Sequence, residues 1–513
     1  MSKNPSGTQH QLHKTLRWYH GFMLALPIAA GLFVSVGYVI GALGAIPATA
    51  ICVILSAVAL LQNKIFSEVA AMFPDKPGGI AMFATEAWKR YFAPLGPLAA
   101  FGYWCGWALV LSLVGLTIGS LVQAQWFPDA TWTLFTVAGV AFGFPHLVSA
   151  ITIAACTVLN VAGIKVAVRF NQIIGAAFIL VLAVLAIGPF VTGQWQSANL
   201  TSHIDGGWKT FVVWLYVTAW AIYGSELCAV FAPEYKDTSR DTSKALTSIA
   251  LFMVGAYTIV PIATTGQLGE AVITDNPITY GVASVQAMSG GLSGVITAIL
   301  CGALFLSMVS SSADAGRALY GIAAEKMSIR QLDQLNRAGV PSRALWITMA
   351  VNLLILIVVG NPVAILIASN LGYILAITLA VSGFLLLRKD RPHWPRPIRL
   401  SRAWIPVAAV ITAFNAFILV VGVLNPDLSH AGGWKECYSG SDCSRSVCSC
   451  SSIDAWCRTA SRFSGATPLP TPRSQRWRLS RRGRSADVLM SSKGVPRGSL
   501  PERATRLSRD GHA

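Results

Sequence analysis

The sequence predicts an all-α polytopic membrane protein, on the evidence of its hydropathy and of the spacing of its apolar segments. Mean hydropathy is +0.57, and 54% of the 513 residues are hydrophobic while 12% are charged. Soluble globular domains carry about twice that charged fraction. Eleven apolar stretches follow one another, each close to the roughly 20 residues that a helix needs to cross a bilayer core. We number them spans 1 to 11: 22–43, 45–69, 96–123, 146–163, 172–192, 210–231, 245–266, 291–313, 344–360, 363–387 and 403–424.

The basic residues alternate from gap to gap. Lys and Arg cluster before span 1 and then in the gaps 70–95, 164–171, 232–244, 314–343 and 388–402. The gaps between these contain neither residue: 124–145, 193–208, 267–290, 361–362 and 425–432. Lys209, at the start of span 6, is the clear exception. Because basic loops stay on the cytoplasmic side, we expect a multi-pass protein of the plasma (cell inner) membrane with a cytoplasmic N-terminal segment, residues 1–21.

Composition argues against several other classes of protein. The formal net charge is +17, but much of it lies in the C-terminal tail and the rest in loops that would face anionic lipid. No basic face with interleaved aromatic residues is present, so we expect no nucleic-acid partner. The cysteines in the spans are isolated from one another, which predicts no metal site. No Gly-rich phosphate-binding loop occurs, and we expect no cofactor apart from a coupling ion.

Two spans carry helix-breaking sequences at equivalent places. Span 1 contains Pro27 and, four residues later, Gly31; span 6 contains Gly224 and the carboxyl group of Glu226. In lipid, non-helical backbone is tolerated only around a cavity, and matched interruptions in two halves of a membrane protein indicate a transporter's binding site. The alternative is that both glycines only permit close helix packing.

Several motifs, in order, resemble the amino acid–polyamine–organocation transporter superfamily. The similarity covers about residues 16–432. The matching segments are Ala29-Ala30-Gly31-Leu32-Phe33, Ser67-Glu68-Val69-Ala70 with Pro74 and Gly78-Gly79, Asn160-Val161-Ala162-Gly163-Ile164-Lys165, Gly224-Ser225-Glu226 with Glu234 and Lys236-Asp237, and Arg317-Ala318-Leu319-Tyr320. Thr238 stands where the family pattern has proline.

The resemblance implies a five-plus-five inverted-repeat core with broken helices 1 and 6, peripheral spans beside it, and a substrate pocket between spans 1, 3, 6 and 8. Free backbone N–H groups at a helix break would bind a carboxylate, and free carbonyls would bind an amine. By position, the backbone of Ala29, Ala30 and Gly31 would hold the carboxylate, and the carbonyls of Pro27, Trp220 and Tyr223 would receive the amine at the Gly224 break. Trp220 would stack on the substrate. Cys105, Gly106 and Ser311 would line the pocket for the substrate side chain.

The sequence departs from the family pattern in ways that concern coupling. Ala29 and Ala30 replace a glycine and a serine, Pro27 is unusual, and span 5 lacks the lysine that replaces sodium in some relatives. Ser310, Ser311 and Asp314 offer oxygen ligands to a hard cation, although the serines could equally serve only helix packing. Coupling to sodium, coupling to protons and plain exchange remain open. For Glu226 we expect a structural role that ties span 6 to its neighbours.

The C-terminal tail, residues 433–513, does not resemble the rest of the chain. It has 13 Arg and two Lys and no apolar run long enough to span, although a twelfth span is expected there. A Cys- and Ser-rich run read one base out of frame yields Val, Leu and Phe, so we suspect a reading-frame shift near Glu436. The alternatives are a basic regulatory tail or a zinc-binding segment. The composition predicts disorder.

These features together predict a secondary active transporter that moves amino acids or related amines by alternating access. A polyamine or organocation exchanger is the nearest alternative, and an ion channel or a membrane sensor is the alternative from another class. An enzyme is not expected, since no nucleophile–base pair or metal-ligand set lies at a common depth. The specific substrate and the oligomeric state remain open.

Overall fold

The computed structural model describes residues 14–429, except 75, 77, 138–139 and 360–361, and omits the side chains of 164–170. The predictions for residues 1–13 and for the tail, including the reading-frame shift, therefore lie outside the described residues. The described helices all belong to one unit of the chain.

Helices occupy the predicted spans throughout the described part of the chain. Ten are long and apolar enough to cross a membrane: Trp18–Leu43, Ala45–Met72, Leu95–Trp126, Phe144–Ala162, Asn171–Val191, Trp208–Glu234, Thr238–Leu268, Gly290–Ala324, Pro362–Asp390 and Trp404–Leu424. These are spans 1 to 8, 10 and 11. Span 9 is the shorter apolar helix Ser342–Val358. The prediction of an all-α polytopic membrane protein is confirmed, while the inverted symmetry of two five-helix repeats stays a prediction.

Spans 1 and 6 change helix type where the sequence predicts interruptions. Span 1 consists of α-helix Trp18–Ala25, 3₁₀-helix Leu26–Ala30 and α-helix Gly31–Leu43. Span 6 consists of α-helix Trp208–Tyr223 followed by 3₁₀-helix Gly224–Glu234. In both spans the backbone thus forms tighter helical turns at the interruption and does not become an extended segment. Mid-helix 3₁₀ segments often mark a hinge or strain.

The spans differ in how far they are enclosed by the rest of the protein. The apolar core of span 6 is 100% buried, and those of spans 1 and 3 are 89% buried. The corresponding fraction for spans 4 and 11 is 28%. Spans 1, 3 and 6 therefore form the centre of the molecule, and spans 4 and 11 lie at its periphery, where apolar side chains would face lipid.

Shorter elements connect the spans. An antiparallel hairpin of β1 (Thr133–Val137) and β2 (Val140–Gly143) lies between spans 3 and 4, and the sequence analysis did not predict it. Its β-branched and aromatic residues suit a strand. Helix Gly79–Trp88 links spans 2 and 3. The remaining short helices are Ser197–Asn199, Glu270–Asp275, Tyr280–Met288, Arg330–Asp333 and Pro426–Ser429. Span 8 itself begins with the 3₁₀-helix Gly290–Leu292.

A cluster of charged side chains joins the ends of spans 2 and 10 to neighbouring loops. We call this side of the molecule the basic face. The fully buried Glu68 binds the guanidinium groups of Arg388, at 2.5 Å, and Arg396, at 3.1 Å. Glu86 accepts hydrogen bonds from Lys76 at 2.6 Å and from Lys89 at 2.8 Å. Burial of Glu86 opposes its ionisation, but these two hydrogen bonds prevail and lower its pKa to about 2.

Candidate functional site

The two 3₁₀ segments touch each other at the centre of the molecule. A Cβ added to Gly31 would lie 3.3 Å from the Cβ of Ala221. A Cβ added to Gly224 would lie 2.7 Å from Cγ2 of Ile28 and 3.0 Å from the indole ring of Trp107. A side chain at Gly224 would therefore clash with its neighbours, and one at Gly31 would require Tyr257 or Ala221 to shift by a few tenths of an ångström. This is the packing role that the sequence analysis held as an alternative, and it also brings the two interruptions together.

Side chains from spans 7 and 8 bind backbone carbonyls beside these interruptions. The Ser310 hydroxyl donates to the Leu24 carbonyl at 2.8 Å. The Tyr257 hydroxyl donates to the Ala221 carbonyl at 2.9 Å. A carbonyl that loses its α-helical partner needs another one inside a membrane. The two hydroxyls thus stabilise the points where α-helical bonding ends.

Two of the backbone groups predicted to bind substrate are hydrogen-bonded within their own helices in this conformation. The Gly31 N–H bonds to the Ile28 carbonyl, and the Trp220 carbonyl accepts from the Gly224 N–H. Pro27, Ala29 and the neighbouring residues of the segment are buried. The structure therefore brings the two predicted segments together while the Gly31 N–H and the Trp220 carbonyl are bonded within their own helices. Binding through them requires these bonds to open.

Aromatic side chains close the space beside the interruptions. The Trp220 ring packs edge-on against that of Trp107, with centroids 5.7 Å apart, and Trp107 packs in the same way against Tyr373. Tyr103 and Tyr373 stack with centroids 5.9 Å apart. All four are nearly completely buried, and the indole N–H groups of Trp107 and Trp220 have no hydrogen-bond partner among the described residues.

Tyr103, Trp107 and Tyr373 were not among the site residues predicted from the sequence. The signal that could have found the first two is their spacing, since residues four apart share one face of a helix. Cys105 and Ser311, predicted to line the pocket, are 4% and 3% exposed. Gly106 packs directly against Tyr373, where an added Cβ would lie 2.5 Å from that of the tyrosine. Gly106 thus sets a helix contact in this closed conformation and lines no open space.

Two buried carboxyl groups share a tyrosine hydroxyl. The Tyr103 hydroxyl lies 2.9 Å from Oε1 of Glu226 and 2.8 Å from Oδ2 of Asp314. The Tyr373 hydroxyl also donates to Oε1 of Glu226, at 2.8 Å. Glu226 is thereby joined to spans 3 and 10. Its other oxygen, Oε2, and Oδ1 of Asp314 are buried and have no partner in the part of the chain that the structure describes.

A buried ion pair near this site involves two residues of the family-like motifs. Arg317 donates to Glu234 at 2.9 Å, and each side chain is 6% exposed. The guanidinium also lies 4.7 Å from the ring centroid of Phe231. This pair joins the 3₁₀ half of span 6 to span 8.

Two small cavities also lie among the described residues. Each has a volume of about 10 Å³, room for about one water molecule. One is lined by Arg317, Asn160 and Leu345, and the other by Glu86, Met82 and Ile322. Neither could hold an amino acid. Within the described residues, no group of three or more His, Cys, Asp or Glu side chains is placed to hold a metal ion.

Comparisons with known proteins agree on one family. The sequence model of the amino acid permease family matches residues 20–438. The chain is 26% identical over 355 residues to the amino-acid permease RocE of Bacillus subtilis, covering 67% of this chain and 73% of that protein. It is 26% identical over 412 residues to the lysine-specific permease LysP of Lactococcus lactis, covering 74% of this chain and 77% of that protein. It is 23% identical over 372 residues to the D-serine/D-alanine/glycine transporter of Escherichia coli, covering 66% of this chain and 74% of that protein.

Proposed function

This chain belongs to the amino acid permease family, a family of transporters rather than enzymes, and on that premise we propose how it transports an amino acid. The carrier works by alternating access, with its site where spans 1 and 6 change helix type. The observation that carries this proposal is the contact of Gly31 with Ala221 and of Gly224 with Ile28. Tighter 3₁₀ turns have poorer hydrogen-bond geometry than α-helix, so these two segments can rearrange at low cost.

The substrate binds where the two segments separate. Opening the bonds at Gly31 and Gly224 frees N–H groups for the substrate carboxylate and carbonyls for its amine. Pro27, Ala29 and Ala30 supply the rest of the span 1 side, and Trp220 and Tyr223 supply the span 6 side. Cys105, Gly106 and Ser311 border the space for the substrate side chain once the helices have moved apart.

The protein lies in the cytoplasmic membrane with its N-terminus inside. The basic face collects Lys76, Lys89, Arg388, Arg391 and Arg396 at one end of the spans. Basic residues next to membrane spans stay on the cytoplasmic side. Bacterial relatives among the permeases support the same location.

The substrate and the coupling ion are tested in one experiment. The purified protein is reconstituted into liposomes, and uptake of labelled lysine, histidine, γ-aminobutyrate, D-alanine and glycine is measured with proton and sodium gradients imposed separately. These compounds follow the names of relatives, which include a putative histidine permease and a probable GABA permease. We expect uptake of at least one of them, driven by one of the two gradients.

A matched pair of valine variants tests the site. In Gly31→Val the new side chain meets Ala221 and blocks closure, so we expect uptake to be lost. Gly255→Val in span 7 is the control, because an added Cβ there has no atom within 4 Å, and we expect uptake to be retained. Equal uptake by the two variants would falsify the location of the site. If the wild-type protein takes up none of the amino acids in the panel, the proposed transport function itself is contradicted.

A further inference from the structure

The arrangement of Glu226, Tyr103 and Asp314 requires a proton that the tyrosine cannot supply. The Tyr103 hydroxyl has one hydrogen but lies within hydrogen-bond distance of both carboxyl groups, 2.9 Å and 2.8 Å away. It can donate to one of them only. The other contact must then be donated by a carboxyl hydrogen. One of the two acids is therefore protonated in this closed conformation.

The hydrogen bonds assign that proton to Asp314. Oε1 of Glu226 already accepts from Tyr373 at 2.8 Å. Two hydrogen bonds from tyrosine hydroxyls to this carboxyl group favour its charged form, and its second oxygen, Oε2, has no partner among the described residues. Among the described residues Asp314 has no second side-chain donor, and its Oδ1 is buried without a partner. With its hydrogen on Oδ2, Asp314 donates to Tyr103, which donates to Glu226.

The charged groups around Asp314 do not remove the need for a proton on one of the two acids. Arg317, one turn along span 8, is held by Glu234 at 2.9 Å. The other titratable groups that face Asp314 are Tyr103 from span 3, Glu226 and Cys228 from span 6, and Tyr373 from span 10. Asp314 and Glu226 are 0% and 1% exposed. Two adjacent carboxylates at such a depth would repel each other in a medium of low dielectric constant.

We propose that Asp314 is a proton-binding site and that the carrier closes around its central site only when Asp314 is protonated. Closing takes one proton from water and forms an O–H bond on Oδ2 of Asp314; when the spans separate and water enters, that proton returns to water. Tyr103 is the positioning residue, since it links the proton on Asp314 to the charge on Glu226. This inference rests on the proposed function for its transport consequence, but protonation itself can be measured without transport.

Infrared spectroscopy of the purified wild-type protein tests the proton directly. A protonated carboxyl group absorbs at a higher wavenumber than a carboxylate, and we expect such a band at neutral pH. It should disappear in Asp314→Asn and persist in Asp427→Asn, because Asp427 is exposed near the end of span 11. A band that survives in Asp314→Asn overturns the assignment. If that variant does not fold, Tyr103→Phe takes its place, and a band that it leaves unshifted overturns the proposal.

The pH dependence of tracer exchange tests the effect on closing. For any amino acid of the panel that the wild type transports, exchange should fall by about tenfold per pH unit above the titration of Asp314, as for one titrating group. The asparagine amide in Asp314→Asn donates to Tyr103 as the protonated acid does, so exchange should continue and lose this alkaline decline. Asp427→Asn should retain the decline. An unchanged decline in Asp314→Asn contradicts proton-dependent closing. Should no panel amino acid be transported, the infrared result still decides whether Asp314 is protonated.

Discussion

Single hydroxyl groups hold the interrupted helices in their observed shape. Sequence reasoning took Ser310 as a possible cation ligand or a packing residue. In the structure its hydrogen goes to the Leu24 carbonyl, at 2.8 Å, which explains how the last α-helical turn of span 1 can end inside the protein. The role predicted for Ser310 in coupling stays a prediction. Its structural role is visible already.

Removal of the Ser310 hydroxyl should destabilise the protein. Ser310→Ala leaves a buried carbonyl without its partner, and we expect the free energy of unfolding to fall by about 1–2 kcal/mol. Ser310→Thr keeps the hydroxyl and is the control. Thermal unfolding of the detergent-solubilised protein, followed by intrinsic fluorescence, measures the difference. A midpoint for Ser310→Ala equal to that of the wild type would show that the bond adds nothing.

At the scale of helices, the site depends on how closely spans 3 and 10 approach. A Cβ added to Gly102 would lie 2.6 Å from the Gly372 carbonyl oxygen, and one added to Gly372 would lie equally close to that of Gly102. Glycine at both positions lets the two backbones touch, as small residues do in membrane helices. The next residues along the chain are Tyr103 and Tyr373, and both reach Glu226 as a result.

Separating these two helices should disrupt the site. In Gly102→Val the new side chain pushes span 3 from span 10, so that the two tyrosines can no longer bind Glu226 together. We expect uptake into proteoliposomes to fall at least about tenfold, equivalent to about 1.4 kcal/mol of lost stabilisation. The same substitution at Gly255 serves as the control here too. Equal uptake by both variants would mean that the close approach is not needed.

At the scale of the whole molecule, the charges of the basic face tie loops to the ends of spans. Glu86 binds Lys76, Lys89 and Arg391, and thereby connects helix Gly79–Trp88 to the end of span 10. Because Glu86 is 4% exposed, these contacts are screened little by salt. Glu68 makes an equivalent connection from span 2. The interior of the bundle is more apolar than the basic face. The ion pairs of the described residues are therefore concentrated on the basic face.

The ion pairs of the basic face should make the free energy of unfolding depend on pH in the acid range. The pKa of Glu86 is lowered from 4.5 to about 2 in the folded protein. Its stabilising effect is therefore complete above pH 4.5 and is lost as the pH falls from there through about 2. Glu86→Gln should lower the free energy of unfolding by about 2 kcal/mol at neutral pH, because it removes the charge that accepts hydrogen bonds from Lys76, Lys89 and Arg391. The variant should also lack this part of the acid dependence. The acid dependence is checked by measuring unfolding midpoints between pH 2 and pH 7, with Asp427→Asn as the control. Parallel plots of midpoint against pH for Glu86→Gln and the wild type would contradict the role of Glu86.

The sequence by itself determined the membrane fold, the spans and the places where spans 1 and 6 change helix type. These features are local, since hydropathy fixes which segments enter a bilayer, and Pro27 and Gly224 weaken the α-helix where they stand. Only the tertiary structure decided that Tyr103, Glu226, Asp314 and Tyr373 meet. They come from four helices far apart in the chain, and their meeting depends on which helix faces pack together at glycines such as Gly102 and Gly372. Periodicity describes one helix at a time, whereas this contact is a property of the packed bundle.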